Sequence, residues 1–225
     1  SIEKFDWSEA SKDGSLQALQ NFLNGYPDGA FASEAKSIMN GLKLVVPYLT
    51  SNQKYKLYDA SNGTFVSASL YDNIEFLDNE LFIVTNFGKK GIVNKFGENI
   101  TLSTYDCFMS AGSKHIIFQL GSKFGLMDRK GEIVVQPIYD ALNSQSDSLL
   151  ISSIKRDKIV KMGLIDLNGR VLVENKFREL IIKGDNQMIV SLDKKIRYLA
   201  NFSGNFISAP YSDIYFSGIV LNKDK

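Results

Sequence analysis

Residues 123–137 read KFGLMDRKGEIVVQP. Two short apolar runs flank Asp128 and Gly131. An aspartate side chain accepts hydrogen bonds from turn amides, and glycine adopts the positive φ that closes a hairpin with a bulge. The stretch therefore predicts two antiparallel strands joined by a tight turn.

The same chemistry recurs along the chain, with one marker glycine in each unit. The spacings between successive markers are 34, 34, 38 and 35 residues. An aromatic residue lies eight positions after each marker, or seven in the last unit, and Asp follows it in the first three units. The markers are Gly63, Gly97, Gly131, Gly169 and Gly204, and the aromatic residues are Tyr71, Tyr105, Tyr139, Phe177 and Tyr211. A fixed period of this size indicates stacked or circular repeats.

Four short strands are predicted in each unit. Pro137 is expected to end the second strand, because proline cannot donate to a strand ladder. The pair Tyr139 and Asp140 is expected to open the third, and an aliphatic cluster forms the fourth. These clusters are residues 81–84, 115–118, 149–151, 188–190 and 219–221. Residues 51–225 are thus predicted to be a β-repeat domain of five double-hairpin units, with no single large core.

The arrangement of the five units has two possible forms. Four strands per unit could close a small propeller, and closure removes exposed sheet edges. The period is shorter than the roughly 40–50 residues of a propeller blade, which favours an open, curved array. We prefer the propeller-like arrangement and keep the open array as the alternative.

Residues 1–50 are predicted to be a helical hairpin. Apolar residues between positions 16 and 23 recur at the helical period, and a second apolar face covers residues 31–42. The second helix is expected to end before Pro47, and a further helical turn is expected around Trp7. Two short helices cannot bury their apolar faces alone, so we expect them to dock on another part of the protein.

The repeat resembles the bacterial WG (KWG) repeat, whose pattern is Lys-Trp-Gly-Tyr/Leu-Ile-Asp, then Gly-Lys, then Pro-x-Tyr-Asp. The matching stretches are residues 123–140, 161–170 and, more loosely, 89–97. The positions of the signature Trp hold Lys90, Phe124 and Met162. The first and last units lack the first glycine of the pattern and are expected to cap the array. The resemblance implies a non-catalytic module and no particular ligand.

The helical segment, residues 7–35, resembles a tetratricopeptide-like hairpin common in bacterial envelope proteins. The chain begins at Ser1, without Met and without a signal peptide. We therefore expect a processed or excised fragment with more helical repeat upstream. The cell envelope is the expected location, in preference to the cytoplasm.

The composition excludes several classes of function. The chain has 26 Lys and Arg against 25 Asp and Glu, a net charge of +1, which argues against a protein that coats nucleic acid. The one cysteine, Cys107, cannot form an intrachain disulfide, and the one histidine, His115, cannot form a His–His metal pair. No apolar run approaches the length of a membrane span. We predict no metal, no cofactor, no catalytic residue and no direct membrane insertion.

Lysines cluster at the unit junctions, and equivalent positions of a repeat array lie on one face. The candidate partner-binding row is Lys89, Lys90, Lys123, Lys155, Arg156, Lys158, Lys161, Lys194 and Lys195. Lys155 and Arg156 fall in a four-residue insertion, which is predicted to be a longer loop. Such a row could dock an acidic partner or a glycan. The reading that we favour is that these are solvated turn lysines that protect strand edges.

The sequence supports three hypotheses about function. The preferred one is an interaction module that binds a protein partner through the β-repeat surface. The alternative is a glycan- or cell-wall-binding module, and the third is an accessory domain of an enzyme encoded upstream. The repeated Tyr–Asp pairs distinguish the first two: a row of exposed rings would favour glycan binding, whereas buried rings indicate packing between units.

Overall fold

The computed structural model describes residues 2–184, 186–211, 213–214 and 220–221. Within these residues, three helices precede a series of short antiparallel strands. The helices are α1 (Ile2–Asp13), α2 (Leu16–Gly25) and α3 (Ala32–Leu42). The expected aliphatic strand at residues 219–221 includes Ile219, which lies outside the described residues.

The strands form sheets that follow one another along the chain. Sheet 1 contains β1 (Val45–Leu49), β2 (Tyr55–Asp59) and β3 (Thr64–Phe65). Sheet 2 contains β4 (Asn73–Phe76), β5 (Leu81–Asn86), β6 (Lys89–Asn94) and β7 (Asn99–Tyr105). Sheet 3 contains β8 (Cys107–Ala111), β9 (His115–Leu120), β10 (Lys123–Asp128) and β11 (Ile133–Tyr139).

The remaining sheets continue the same up-and-down order. Sheet 4 contains β12 (Ala141–Ser144), β13 (Leu149–Arg156), β14 (Ile159–Asp166) and β15 (Val171–Phe177). Sheet 5 contains β16 (Glu179–Gly184), β17 (Gln187–Ser191) and β18 (Arg197–Ala200), and the last pair is β19 (Asp213–Ile214) and β20 (Val220–Leu221). The chain is thus mostly β with helices at its N-terminus, as the sequence predicted.

Separate apolar clusters fill the spaces between consecutive sheets. Leu57 and Phe82 meet between sheets 1 and 2, and Ile92 and Phe118 belong to the cluster between sheets 2 and 3. Further clusters join sheet 3 to sheet 4 and sheet 4 to sheet 5. Because side chains alternate along a strand, the central strands bury both faces, one against each neighbouring sheet. No single large core is needed, as predicted, and the choice between a closed ring and an open array stays a prediction.

The five marker glycines all adopt the backbone conformation that the sequence predicted. Their φ angles are 74°, 84°, 86°, 81° and 77° in chain order. Asp128 shows the accompanying turn: its Oδ1 accepts hydrogen bonds from the amides of Lys130 and Glu132, at 2.8 and 2.9 Å. The same pair of contacts recurs at Asn94, Asp166 and Asn201.

The predicted division of a unit into strands was wrong in two respects. Pro137 does not end a strand but lies inside β11, an outer strand with an irregular register, where its missing N–H is tolerated. Tyr139 ends β11 rather than opening a strand. The sheets therefore begin after the aromatic residue, so each sequence unit contributes its first two strands to one sheet and its last two to the next.

The helical part also departs from the prediction. The single turn expected around Trp7 is a helix of 12 residues, and Trp7 lies 5.2 Å from Phe22 and 5.6 Å from Phe31 between ring centroids. The three helices bury their apolar faces against one another, so α1 supplies the surface on which the predicted pair docks.

Residues 45–49, which lie within the segment assigned to the helical hairpin, form strand β1 and pair with β2. Pro47 lies in this edge strand, which is a position that a sheet tolerates. The domain boundary at residue 50 stays a prediction, with β1 on its N-terminal side. Lys95, in the turn after β6, donates to the carbonyl of Asn40 at 2.8 Å and so links the helices to sheet 2.

Candidate functional site

A three-part contact joins sheet 3 to sheet 4. The Asp140 carboxylate accepts a hydrogen bond from the Lys123 ammonium at 2.8 Å and another from the Lys155 amide at 2.7 Å. Lys123 begins β10 of sheet 3, whereas Lys155 lies near the turn of the β13–β14 hairpin in sheet 4. We call this arrangement the Lys–Asp–amide clamp.

The same clamp joins the two preceding pairs of sheets. Asp72 contacts Lys54 of sheet 1 and accepts from the Phe87 amide of sheet 2 at 2.7 Å. Asp106 contacts Lys89 of sheet 2 and accepts from the Gly121 amide of sheet 3 at 2.6 Å. Each clamp ties a hairpin turn of one sheet to the next, so these turns lie at one end of successive sheets. We call this end the turn face.

The clamps shift the acidity of their carboxyl groups. The hydrogen bond from Lys123 is the largest cause that lowers the pKa of Asp140, followed by the bond from the Lys155 amide. A lysine bond and an amide bond lower the pKa values of Asp72 and Asp106 in the same way. Hydrogen bonds to the charged form stabilise it, so the clamp is made by ionised aspartates.

The clamps account for part of the predicted lysine row. Lys89 and Lys123 hold consecutive sheets together, and Lys90 lies 3.4 Å from the carboxylate of Glu75 within sheet 2. Sequence reasoning recorded the Asp residues after the aromatic positions but missed their pairing with these lysines. The signal was available in the recurrence of Lys two positions before Gly91 and Gly125. Partner binding by these three lysines stays a prediction.

The junction between sheets 4 and 5 lacks the clamp. Arg178 occupies the position of the aspartate, directly after Phe177. Its amide donates to the carbonyl of Ser191, as the amide of Asp140 does to Ser153. Arg178 Nε is buried and has no hydrogen-bond partner among the described residues. Lys161, which would be the clamp lysine, forms no ion pair within the described part of the chain.

The hairpin β13–β14 is longer than its counterparts. Its strands have eight residues each, whereas the equivalent strands of sheets 2 and 3 have six. The four-residue insertion therefore extends two paired strands, and the prediction of a longer loop was wrong. Paired backbone groups hold Lys155 opposite Val160 and Arg156 opposite Ile159. The extension projects these side chains from the turn face on a rigid element.

The turn of this hairpin has an unusual backbone. Asp157 and Lys158 both adopt positive φ, at 48° and 66°. A two-residue turn of this kind favours glycine or asparagine, and other side chains are strained in it. The equivalent turn of sheet 2 has Gly88 at the second position, with a φ of 75°. Lys158 thus places a cation where glycine would form the turn more easily.

A cleft of about 500 Å³ lies beside the extended hairpin. Its lining combines apolar and charged side chains. The lining residues are Ile154, Arg156, Asp157, Ile159, Lys161, Glu174 and Asn175. The Asn175 amide donates to the carbonyl and hydroxyl oxygens of Ser152, at 2.9 and 3.1 Å, which fixes the position of this lining side chain. Sequence reasoning did not identify Glu174 or Asn175.

The last two residues of the predicted row lie in the next turn of the turn face. Lys194 and Lys195 belong to the loop between β17 and β18, and both are exposed. Asp193 organises this loop by accepting hydrogen bonds from the amides of Lys195 and Ile196, at 2.8 and 3.1 Å. The bond from the Ile196 amide is the largest cause that lowers the pKa of Asp193.

Four of the five repeated aromatic residues pack between sheets. Tyr71, Tyr139 and Phe177 are buried, and Tyr105 is half-buried against Phe108 and Phe118. Burial of Tyr139 raises the pKa of its hydroxyl. The expectation that these positions pack between units is confirmed, and the buried rings count against a glycan platform built from this row.

The remaining candidates lie apart from the turn face. His115 begins β9 at the opposite end of sheet 3, and its Nδ1 has no hydrogen-bond partner among the described residues. Cys107 is half-buried at the start of β8, and Trp7 is buried in the helical cluster. The described residues contain no cluster of His, Cys, Asp or Glu that could hold a metal ion. In the same part of the chain, no helix has the length and apolar character needed to cross a bilayer.

Comparison with known proteins supports the repeat. The profile of the family described as WG containing repeat matches residues 124–149. The resemblance predicted from the sequence is confirmed to this extent: the chain contains a WG repeat in a mostly β part that follows three helices. No curated protein matches the chain significantly.

Solved structures with a related arrangement are distant. BamB from Moraxella catarrhalis is 13% identical, with 79% of this chain and 60% of that chain covered and a TM-score of 0.34. The computationally designed Ika8 protein is 12% identical, with 76% and 59% covered and a TM-score of 0.36. Hsv2p from Kluyveromyces lactis is 11% identical, with 70% and 58% covered and a TM-score of 0.37. At these scores the likenesses say nothing about function.

Proposed function

We propose that this protein is a non-catalytic interaction module, and that its extended β13–β14 hairpin binds an acidic segment of a protein partner. One observation carries the proposal. Arg156 and Lys158 at the hairpin tip form no ion pair with any described residue, whereas Lys54, Lys89 and Lys123, beside the turns of the preceding hairpins, are paired with aspartates. Exposed cations on a rigid hairpin attract an acidic partner and orient it.

The apolar residues of the tip complement these charges. Ile159 is 40% exposed and Val160 is 39% exposed, and they lie opposite Arg156 and Lys155 in the hairpin. Protein interfaces combine an apolar centre with a polar rim and are enriched in arginine. The tip and the cleft beside it offer both features within one paired element. A protein segment with acidic and apolar side chains fits this surface better than a uniformly charged polymer.

The experiment compares three immobilised proteins. The wild type, the Arg156→Glu/Lys158→Glu variant and the Lys114→Glu/Lys130→Glu control are incubated with extract from the source organism. The control makes the same charge change at exposed positions near the opposite end of sheet 3. Captured proteins are quantified by mass spectrometry, and the strongest candidate is purified for affinity measurement.

We expect a protein that binds the wild type and the control but binds the hairpin variant at least tenfold more weakly. Binding that survives reversal of the hairpin charges contradicts the proposal, as does an equal loss in the control. Localisation in the cell envelope is part of the same proposal, and fractionation of the source cells tests it.

Glycan binding remains a second candidate because of a different set of rings. Tyr48, Tyr58 and Phe65 contact one another at centroid distances of 5.4 Å on sheet 1, and Tyr48 and Phe65 are nearly half exposed. Leu57 faces sheet 2, so its neighbour Tyr58 points away from that sheet. Affinity electrophoresis with soluble polysaccharides tests this surface, and a Tyr48→Ala variant that migrates like the wild type in every polysaccharide would exclude it.

A further inference from the structure

The register of sheet 4 places two cations where the other junctions have a lysine and an aspartate. Met162 pairs with Phe177, as Phe124 pairs with Tyr139 in sheet 3. Lys161 and Arg178 therefore occupy the positions of Lys123 and Asp140. We call this pair of positions the open clamp.

The acidic residues that sheet 5 contributes at this end, Glu179 and Asp193, are already engaged. Glu179 forms a two-point ion pair with Arg197, at 2.8 and 3.2 Å. The Asp193 carboxylate accepts from the amides of its own loop. Glu174 and Asp157 line the same cleft as Lys161, but neither forms an ion pair with it among the described contacts. Neither cation of the open clamp thus has an acidic partner in the described part of the chain.

Arg178 Nε adds an independent sign of a missing ligand. The atom is buried and donates to nothing among the described residues. A buried donor without an acceptor destabilises a protein, and such groups are rare in folded proteins. An incoming oxygen atom would satisfy it, and a carboxylate bonds well to a guanidinium because both groups are planar and present two matching atoms.

We infer that a carboxylate side chain of the partner enters the open clamp and bridges Lys161 and Arg178, as Asp140 bridges Lys123 and the Lys155 amide. The inference rests on the proposed function, because Lys161 also lines the cleft beside the extended hairpin. The partner segment thus lies along the hairpin and places one Asp or Glu in the clamp. The missing aspartate of the fourth junction is supplied from outside the chain.

The first test observes Arg178 directly. The Nε–Hε signal of Arg178 is identified in a ¹H–¹⁵N spectrum by its absence from the Arg178→Lys variant. The intact protein is then titrated with a deca-glutamate peptide, with deca-glutamine, with sodium acetate and with inorganic phosphate. We expect a saturable shift of this signal with deca-glutamate, and no shift with deca-glutamine.

Two outcomes of this titration would overturn the inference. One is the absence of any shift with deca-glutamate. The other is an equal shift at equal anion concentration with acetate or phosphate, which would mean that the position takes an adventitious ion only. If deca-glutamate shifts the signal at a carboxylate concentration at least tenfold lower than the acetate or phosphate concentration that is needed, the result supports a carboxylate supplied by a protein.

The second test introduces a carboxylate into the open clamp by mutation of the chain itself. Arg178→Asp restores the residue found at Asp140, and Arg170→Asp makes the same charge change at an exposed position near the opposite end of sheet 4. Binding of fluorescent deca-glutamate is followed by anisotropy, and folding by circular dichroism. We expect Arg178→Asp to bind at least tenfold more weakly than the wild type, and Arg170→Asp to change binding less than threefold.

The hairpin variant separates this inference from the proposed function. If Arg156→Glu/Lys158→Glu loses the peptide and Arg178→Asp keeps it, the open clamp is wrong and the hairpin proposal stands. If Arg178→Asp loses the peptide and the hairpin variant keeps it, the hairpin proposal is wrong. If Arg178→Asp does not fold, Arg178→Gln replaces it, and the titration of the wild type decides.

Discussion

The junction between sheets 3 and 4 and the junction between sheets 4 and 5 show two ways to join similar sheets. Both contain a buried aromatic ring at the end of the outer strand, Tyr139 in one and Phe177 in the other. Only the first adds a Lys–Asp–amide clamp, through Asp140. The second has Arg178 at that position.

The difference shows which interaction is essential to the array and which is adjustable. An apolar cluster fills every junction from sheet 1 to sheet 5, because each strand must bury its apolar face. The clamp lies at the partly exposed turn face, where its net contribution to stability is modest. A residue at that position can therefore change without loss of the fold. The change coincides with the longer hairpin, on which the proposed function rests.

The largest expected effect tests the apolar part of the comparison. Phe177→Ala should lower the free energy of unfolding by about 3–5 kcal/mol, since the ring is fully buried at a junction without a clamp. Urea unfolding followed by far-ultraviolet circular dichroism measures it. Tyr139→Ala is the matched variant at the clamped junction and should lose a similar amount, because contacts that are not coupled contribute independently to stability. A clearly smaller loss for Tyr139→Ala would mean that the clamp compensates for the missing ring, so that the two contacts are coupled.

Marker glycines at the two kinds of junction should respond differently to alanine. A Cβ at Gly97 would overlap the carbonyl oxygen of Val66 in the chain before sheet 2, whereas a Cβ at Gly204 would lie 3.3 Å from a side-chain methyl of Val173. Both residues have positive φ, so both variants are strained. We expect losses of about 2–3 kcal/mol for Gly97→Ala and about 1 kcal/mol for Gly204→Ala. Thermal unfolding ranks them, and the reverse order would contradict this account.

Removing one clamp charge should have a smaller effect. Asp140→Asn should lower the free energy of unfolding by about 1 kcal/mol at pH 7, because the hydrogen bonds to Lys123 and Lys155 lose their ionic acceptor. Urea unfolding measures it, with Asp147→Asn as the control, since Asp147 is exposed and forms no ion pair among the described residues. A loss as large in the control would show that charge alone, and not the clamp, matters.

The same variant should also remove part of the acid sensitivity. The folded-state pKa of Asp140 lies below its ordinary value, so its contribution to stability is present above the unfolded pKa, near 4. The contribution is lost as the pH falls through the lower, folded-state pKa. The wild type should therefore lose more stability than Asp140→Asn between pH 6 and pH 3. Parallel profiles of stability against pH for the two proteins would contradict a contribution of the clamp to acid sensitivity.

The smallest expected effect concerns the turn of the extended hairpin. Lys158→Gly should raise the free energy of unfolding by roughly 0.5 kcal/mol, because glycine adopts a φ of 66° without strain. Ser122→Gly is the control, since Ser122 does not have positive φ and its replacement should not stabilise the protein. Differential scanning calorimetry compares them.

Much of the architecture could be predicted from the sequence because it depends on local properties. Positive φ at Gly131 and the turn formed by Asp128 follow from the two residues themselves. The burial of the Phe177 ring was predicted because an aromatic ring recurs at this position of each unit, whereas phenylalanine lacks the tyrosine hydroxyl found in the other units. The extra helix length around Trp7 was missed because few apolar residues mark the exposed part of α1.

The candidate site was only partly predictable. The basic residues of the insertion were identified by composition, but nothing local shows that they extend paired strands rather than a loop. Pro137 was wrongly predicted to end a strand. Whether a strand tolerates proline depends on whether it lies at the edge of its sheet, and the sequence of one strand does not show this.

The repeat, the turns and the alternation of buried side chains are all readable from the residue order, since each unit's pattern depends on residues a few positions apart. The division of each unit between two sheets is visible only in the folded chain. The same holds for the contacts by which Asp140 joins Lys123, 17 residues before it, to an amide 15 residues after it. Such contacts depend on the register at which one sheet packs on the next. That register is set by the fit of whole apolar faces. The consequence of having Arg178 where the preceding junction has an aspartate is therefore visible only in the assembled sheets.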